Sequence, residues 1–500
     1  MKDRLRKLLH SLVPTGTVLQ RTIKSGIWAT LTNISGRLLQ VLMLIVLARI
    51  LTPAQFGIMG VALLTLSATK RFTNIGLNAA LIQKEESDVD SYLNTTWLLE
   101  ISRGFLILAF VFVAAPFIAA FFSEPRATPV IRAIGFIPLI AGLRNPGIVY
   151  FEKDLEFHRD FLYNTGGSIA QFLVGVLYVL YSPTVWALVA GSLSRPVFKT
   201  LLSYVLHDYR PRPTFNLQAA RELISFGKWM TGASIIYWVA REGDDAFVGW
   251  FLSATALGFY QYAYRLADMP ATEMSQIVSQ VTFPAYSQVQ GDTAELQNAL
   301  LQSTRFVAFL AFPMSFGIAL VTPSFVPTVL GDQWTPIILS MQLLTVYGLA
   351  HAITGNYGEV WKALDRPDYI VKTSGLRVIL VAILIWPATA RWGIEGAALV
   401  ISGVYVFPIL PIDIYLTARL TELRSIDLYR EYVYPFVASV TMFGILWYAR
   451  ARIDVPAVFE LLLLIPAGVL IYTATALVLE WQFDWGISKN LLMIYRGIRG

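Results

Sequence analysis

The sequence predicts an all-α polytopic membrane protein with about fourteen transmembrane helices, grouped as six, six and two. Hydrophobic residues occupy 56% of the 500 positions and charged residues only 14%, well below the roughly 25% charged residues of soluble domains. Apolar runs of about 20 residues, long enough to cross a bilayer, recur along the chain. In addition, a segment of the first half recurs about 200 residues later.

The repeat aligns the segment that begins at Ser25 with the segment from Ser225 to Asp268, without a gap. Identical residues fall at Gly26/Gly227, Trp28/Trp229, Thr30/Thr231, Ile34/Ile235, Leu51/Leu252 and Gly57/Gly258. Repeats of hydrophobic segments are typical of transporters. The copies differ where residues 40–44 align with residues 241–245, because the second copy carries charges inside a predicted spanning helix.

The chain divides in order as follows. Residues 1–25 form a basic segment whose Lys and Arg residues predict a cytoplasmic N-terminus. Six spans are predicted within residues 26–206, near 26–51, 56–82, 93–122, 127–150, 161–181 and 184–206. The polar segment 207–222 is predicted to be a cytoplasmic linker.

The second half repeats this plan and extends it. Residues 223–418 contain predicted spans near 223–251, 255–287, 300–323, 334–359, 371–390 and 394–418. Residues 419–482 contain two more, near 432–449 and 456–480, and residues 483–500 form a cytoplasmic tail.

Loop charges predict the orientation in the membrane. The loops assigned to the inside carry Lys84, Lys153, Arg159, Arg210, Arg212, Arg221, Lys362, Arg366, Arg419, Arg424 and Arg430. The loops assigned to the outside carry only Arg126, Arg391, Arg450 and Arg452. Because positively charged loop residues stay cytoplasmic, both termini are predicted inside a multi-pass protein of the cell membrane. These loops account for the net charge of +6, so no nucleic-acid partner is expected.

Catalytic chemistry is not expected. The predicted outside loops are short, and the chain has no cysteine, no HExxH pair and no Gly-rich phosphate loop. The four histidines, His10, His158, His207 and His351, are scattered, which favours packed or solvated side chains over a metal site. No cofactor is therefore predicted.

Polar residues inside the spans indicate a cavity, because charges at bilayer depth normally face a partner or water. The first span places Thr30, Asn33, Arg37 and Gln40 on one helix face, and the seventh repeats that face with Thr231, Ser234, Arg241 and Asp245. Both faces are predicted to line one cavity. The alternative, an outside turn at residues 241–245 between two shorter helices, is disfavoured because residues 40–44 lie within an uninterrupted apolar run.

Other spans add charges of both signs. Lys70 and Arg71 lie in the predicted second span, and Arg265 and Asp268 lie in the eighth. For Lys70 and Arg71 a cavity is favoured over ion pairs between helices or snorkelling to an interface. For Glu100, Arg103, Arg132 and Arg144 the structural interpretation is at least as well supported.

Five segments carry a family resemblance. They are LARILTPAQFGIMGVALL from Leu47, GLNAALIQ from Gly76, FEKDLEFHRDF from Phe151, the second repeat from Ile224 to Asp268, and ALDRPDYIVK from Ala363. With them, nearly the whole chain resembles the polysaccharide exporter, or lipid-linked oligosaccharide flippase, branch of the multidrug/oligosaccharidyl-lipid/polysaccharide exporter superfamily. The adjacent cations of TKRF depart from the usual pattern of the second span.

The resemblance implies two pseudo-symmetric six-helix lobes around a central cavity, two additional C-terminal helices and alternating access. It also implies a substrate made of a polyprenyl phosphate or pyrophosphate that carries sugars. Because arginine pairs with phosphate oxygens while it stays charged, the predicted substrate-binding residues are Arg37, Lys70, Arg71 and Arg241, with Asn33 and Gln40 beside them.

Charge balance during release is assigned to Asp244, Asp245, Arg265 and Asp268, and coupling to protons, to sodium or to neither stays open. Expected partners are membrane lipid and, in the same pathway, a polysaccharide polymerase and glycosyltransferases; the protein itself is expected to be a monomer. The alternatives are an ion-coupled multidrug antiporter for organic cations, which would use unpaired carboxylates in its cavity, and an intramembrane glycosyltransferase or ligase. The type of glycan and the choice between an undecaprenyl and a dolichyl carrier also stay open.

Overall fold

The computed structural model describes residues 18–73, 86–269, 286, 291–452, 455–483 and 485–486. The start of the predicted basic segment, the ends of the second and eighth predicted spans and nearly all of the predicted tail lie outside these residues. All regular structure within them is helical. The chain divides into two compact units, Met1–Gly258 and Phe259–Gly500.

The first unit contains nine described α-helices and the first turn of a tenth. They are α1 (Val18–Ile50), α2 (Pro53–Phe72), α3 (Glu86–Phe121), α4 (Ala127–Ile134), α5 (Phe136–Gly142), α6 (Val149–Lys153), α7 (Phe157–Tyr181), α8 (Trp186–Leu206), α9 (Leu217–Phe251) and α10 (Ala254–Ala267). Helix α1 packs on α7, where the rings of Trp28 and Phe161 are 5.1 Å apart and the hydroxyls of Ser35 and Thr165 are 3.1 Å apart.

Helix α2 begins at a capping box. The amide of Gln55 donates to the Thr52 hydroxyl, and the Gln55 side chain accepts from the Thr52 amide at 2.8 Å. Pro53 occupies the first helical position, where its missing N–H leaves no bond unmade. At the other end, Lys70 and Arg71 lie in the last turn, where cations interact favourably with the helix dipole.

Equivalent glycines of the two repeats meet in the first unit. A Cβ on Gly57 would lie 1.7 Å from the Ala254 carbonyl oxygen, and a Cβ on Gly258 would lie 2.4 Å from the Pro53 carbonyl oxygen. Both pairs are related by the same shift of 201 residues. The contact is therefore reciprocal, like one across a twofold axis, and it requires glycine at both positions because the backbones touch.

The second unit contains the rest of α10 and six more described α-helices. They are α11 (Thr293–Phe325), α12 (Ile338–Ala363), α13 (Asp368–Val404), α14 (Leu410–Leu420), α15 (Ser425–Arg450) and α16 (Ala457–Phe483). Helix α13 is broken at Gly393, whose φ of 57° is a left-handed value that glycine adopts without strain. This break falls at the boundary predicted between the spans 371–390 and 394–418.

Two ion-paired side chains tie the C-terminal helices to the rest of this unit. Arg305 of α11 makes a bidentate pair with Glu431 of α15, at 2.7 and 3.0 Å. The indole N–H of Trp485, just beyond α16, donates to the same carboxylate at 2.8 Å. We call Arg305, Glu431 and Trp485 the C-terminal clamp. The clamp joins three separate parts of the second unit through one buried carboxylate.

The membrane class follows from length and surface. Seven described helical segments are long and apolar enough to cross a bilayer, and the bent pair Ala127–Gly142 and Pro146–Lys153 makes an eighth candidate. Large apolar side chains also cover the outer surface: Phe117 is 73% exposed and Leu470 is 70% exposed. Such surfaces require lipid. An all-α polytopic membrane protein is confirmed, while the count of fourteen helices and the division into two lobes stay predictions.

Candidate functional site

A polar cluster lies between α2 and α9 within the first unit. The indole N–H of Trp238 donates to the Ser67 hydroxyl at 3.0 Å, and that hydroxyl donates to Glu242 Oε1 at 3.2 Å. The Arg71 guanidinium lies 5.1 Å from the centre of the Tyr237 ring. We call these five residues the α2–α9 cluster. It joins one turn of α2 to two successive turns of α9.

Three predicted site residues surround the carboxylate of this cluster. Arg71, Arg241 and Asp244 all lie close enough to Glu242 to interact with it electrostatically. Asp244 is buried, with 8% of its surface exposed, whereas Arg71 is exposed. The structure therefore brings the cations predicted on two different spans to one place. Glu242 and Ser67, which hold the cluster together, were not singled out from the sequence.

The backbone carbonyl of Lys70 is bonded by a residue of another helix. The Arg103 guanidinium of α3 donates to the Lys70 carbonyl oxygen at 3.0 Å and to the Thr73 hydroxyl at 3.2 Å, so it caps the end of α2. Arg103 also pairs with Glu100 at 3.4 Å. These contacts support the structural interpretation of Glu100 and Arg103, which stays a prediction. Lys70 and Arg71 of TKRF lie in the last turn of α2, which ends at Phe72.

The polar face of α1 is placed only in part. Asn33 and Gln40 are exposed and Arg37 is half-buried, while Ser35 points to α7. The side chain of Thr231 lies outside the described residues. That the α1 face lines the same cavity as α9 stays a prediction.

Helix α9 settles the alternative of an outside turn. It runs from Leu217 to Phe251 without a break, so residues 241–245 are helical and the turn interpretation is wrong. Asp245 is half-buried on this helix.

A second group of charges lies in the second unit. Asp268, only 3% exposed, follows α10, and its Oδ1 lies 2.9 Å from Nδ1 of His351 on α12. The His351 ring stacks on Tyr347 at 5.3 Å. Arg265, which was predicted beside Asp268, lies in the last turn of α10 and is exposed. No sequence signal pointed to the Asp268–His351 pair, because 83 residues separate its members.

Helical spans with charged clusters between them, as in the described part of the chain, are typical of membrane transporters. The chain belongs to the polysaccharide biosynthesis protein family, whose model matches residues 46–339. This confirms the polysaccharide exporter branch indicated by the sequence motifs.

Individual proteins of known name are similar to this chain in sequence or in fold. The chain is 27% identical over 364 residues to the lipopolysaccharide biosynthesis protein WzxC of Escherichia coli K12, a match that covers 72% of this chain and 74% of WzxC. Among solved structures, the lipid II flippase MurJ in an inward closed conformation has a TM-score of 0.72 at 12% identity, over 92% of this chain and 100% of that chain. An inward-facing multidrug resistance transporter, described as a MATE family member of the MOP superfamily, has a TM-score of 0.61 at 14% identity, over 78% of this chain and 95% of that chain. The two structures share the fold of this protein.

Proposed function

We propose that this protein flips an oligosaccharide linked to a polyprenyl phosphate or pyrophosphate across the cytoplasmic membrane by alternating access, for assembly of an extracellular polysaccharide or surface glycan. Family membership and the names of WzxC and of the flippase MurJ support this function. A lipid-linked glycan cannot cross hydrocarbon unaided, because its charged and hydroxylated head would lose its hydration.

The main support for this proposal is the set of hydrogen-bond donors of Arg71. Its guanidinium rests on the Tyr237 ring, and none of its N–H groups donates to another residue that the structure describes. A phosphate oxygen is the acceptor that suits such a planar set of donors. Arg71 and Arg241 would bind the head group, with Arg37 and Lys70, and with Asn33 and Gln40 as neutral donors, while the prenyl tail stays in lipid.

The same cluster disfavours an organic cation as substrate. A cation site needs an available carboxylate and an open aromatic face. Here Glu242 already accepts a hydrogen bond from Ser67 and lies near two arginines, and Arg71 covers the Tyr237 ring. The multidrug antiporter is therefore the weaker candidate.

Coupling is assigned to Asp268 together with His351. The 2.9 Å contact between His351 and this buried carboxylate supports the assignment, because imidazole is a common proton-carrying side chain in proteins. Asp244, Asp245 and Arg265 would balance the remaining charge, and sodium is the alternative ion. We further propose a monomer with both termini in the cytoplasm that acts with a polymerase and glycosyltransferases.

The test uses protein reconstituted into liposomes and a short-chain polyprenyl pyrophosphate oligosaccharide that is followed between leaflets. Arg37→Ala, Arg71→Gln and Arg241→Ala are expected to abolish transfer. Arg126→Ala, which removes an exposed arginine paired with Glu124, is the matched control and should transfer like the wild type. No transfer by the wild type, combined with ion-driven uptake of an organic cation dye, would identify a drug antiporter instead.

A second experiment addresses coupling. The wild type and His351→Gln are compared under a pH gradient and under a sodium gradient. Stimulation by the pH gradient that His351→Gln abolishes supports the proton assignment. Stimulation by sodium that His351→Gln leaves unchanged contradicts it.

A further inference from the structure

A polar cavity of about 180 Å³ lies within the first unit. Helix α3, the segment 142–152, α7 and α8 form its walls. A single buried water needs only about 10–15 Å³, so the cavity has room for a larger polar molecule. Neither the repeat nor the α2–α9 cluster accounts for it.

One wall is a chain of hydrogen bonds between α7 and α8. The Asn164 amide donates to Asp160 Oδ1 at 2.8 Å, and Lys199 Nζ donates to Asn164 Oδ1 at 2.8 Å. The ammonium group also lies 4.3 Å from the centre of the Tyr163 ring. Lysine has three donors and a carboxylate has several acceptor sites, so both ends of the chain keep bonding capacity toward the cavity.

The other walls add an opposite pair of charges and an unsatisfied hydroxyl. Arg144 and Glu152 line the cavity and interact electrostatically. Thr96 is only 3% exposed, and its Oγ1 has no hydrogen-bond partner among the described residues. A buried hydroxyl without a partner is costly, so Thr96 is a candidate to bond a molecule that enters the cavity.

The charges around the cavity select the class of ligand. Among the lining side chains, Arg144 and Lys199 balance Glu152 and Asp160, and the remaining carboxylate, Glu100, is paired with Arg103. Arg195 interacts electrostatically with Lys199 but does not line the cavity. A phosphate would meet two carboxylates, and a metal ion would meet two cations. A neutral polyol has hydroxyls that both donate and accept, which matches alternating donors and acceptors.

We propose that this cavity binds one neutral sugar residue through Lys199, Asn164, Asp160 and Thr96, with the aromatic surfaces of Trp97 and Tyr163 beside the ring. Two sources share this chemistry: the glycan of the lipid-linked substrate, which rests on the proposed function, and a free sugar, which does not. On the predicted orientation, the segment 151–160, which includes Glu152 of α6, is cytoplasmic, so the cavity would be filled before transfer.

The experiment measures binding without transport. The purified full chain is placed in a sugar-free detergent, and saturation-transfer NMR is recorded with the methyl glycosides of glucose, galactose, mannose and N-acetylglucosamine. Inorganic pyrophosphate is tested separately by phosphorus NMR. At least one neutral glycoside is expected to bind. Lys199→Met should raise the Kd of that glycoside about tenfold, because a charged hydrogen bond is lost.

If Lys199→Met does not fold, Thr96→Val replaces it in the test, because valine has nearly the same shape as threonine. Thr96→Val should raise the Kd about fivefold. Thr441→Val is the matched control, because the Thr441 hydroxyl bonds its own helix at Val437 in the second unit. Absence of binding by every glycoside, binding unchanged in both cavity variants, or binding of pyrophosphate alone would each overturn the proposal.

The two sources are separated by a further comparison. If the oligosaccharide released from its lipid carrier binds more tightly than the methyl glycosides, and Thr96→Val flips the substrate more slowly than the wild type, the site belongs to the substrate glycan. Equal binding of free glycosides, with unchanged flipping, assigns it to a free sugar. Because binding is measured on its own, failure of this site and failure of the flippase function give different results.

Discussion

Replacing Gly57 by alanine is expected to force apart the two repeated segments that meet in the first unit. The new Cβ would lie 1.7 Å from the Ala254 carbonyl oxygen, whereas real Cβ atoms essentially never come closer than 3.0 Å. The backbones must therefore separate by at least 1.3 Å, because no flexible side chain is present to yield. Overpacking of this kind costs about 1–3 kcal/mol. Gly258→Ala needs a shift of only 0.6 Å and should cost less.

The free energy of unfolding is measured by titration with dodecyl sulfate in mixed micelles, with tryptophan fluorescence as the signal. Gly444→Ala is the matched control, since a Cβ there meets open space within α15. This control should be neutral or more stable by up to about 1 kcal/mol, because alanine favours helix over glycine. The expected order of stability, from lowest to highest, is Gly57→Ala, then Gly258→Ala, then the wild type and Gly444→Ala. A Gly57→Ala protein as stable as the control would refute the close contact.

Two further predictions concern buried charge and pH. Glu431→Gln leaves the Arg305 guanidinium without its counter-ion, so we expect a loss of about 3–5 kcal/mol, seen as a lower thermal midpoint that the double variant with Arg305→Met partly recovers. The pKa of His207, in the segment between α8 and α9, is lowered by burial and then by the nearby Arg159. The neutral His207 ring accepts a hydrogen bond from the Tyr209 amide at 3.1 Å. This bond stabilises the segment above about pH 6.5, and the stabilisation is lost as the pH falls further and the ring becomes protonated. Proteolysis of this segment should therefore be faster at pH 5.5 than at pH 7.5, a difference that His207→Gln removes; equal rates in the wild type would contradict this.

The helical architecture could be predicted because its signals are local. The length of an apolar run predicts a membrane-spanning helix directly. Gly393 lies where one predicted span ends and the next begins. The sequence repeat likewise identified Gly57 and Gly258 as equivalent positions, and the structure shows that these two residues are in contact. In each case the information needed lies within a short stretch of sequence or in its copy.

The partners of charged side chains could not be predicted in the same way. Helical periodicity placed Arg241 on a face of its helix but did not indicate that Ser67, 175 residues from Glu242, would hold the neighbouring carboxylate. Similarly, Lys199 is a charge inside the predicted span 184–206, but the sequence did not indicate that it would end a hydrogen-bond chain to Asp160. Which helices become neighbours depends on packing, and that has no periodic signature.

The C-terminal clamp bears on how freely this protein can be shortened. Helices α15 and α16 lie beyond the repeated segments and look like an addition that could be removed. Yet α15 supplies the only carboxylate paired with Arg305 in the described structure, and Trp485 beyond α16 supports it. A chain ending before α15 would leave the partly buried Arg305 guanidinium without this carboxylate, which is costly. A minimal version of this transporter must therefore replace Arg305 in the same step that removes the last two helices.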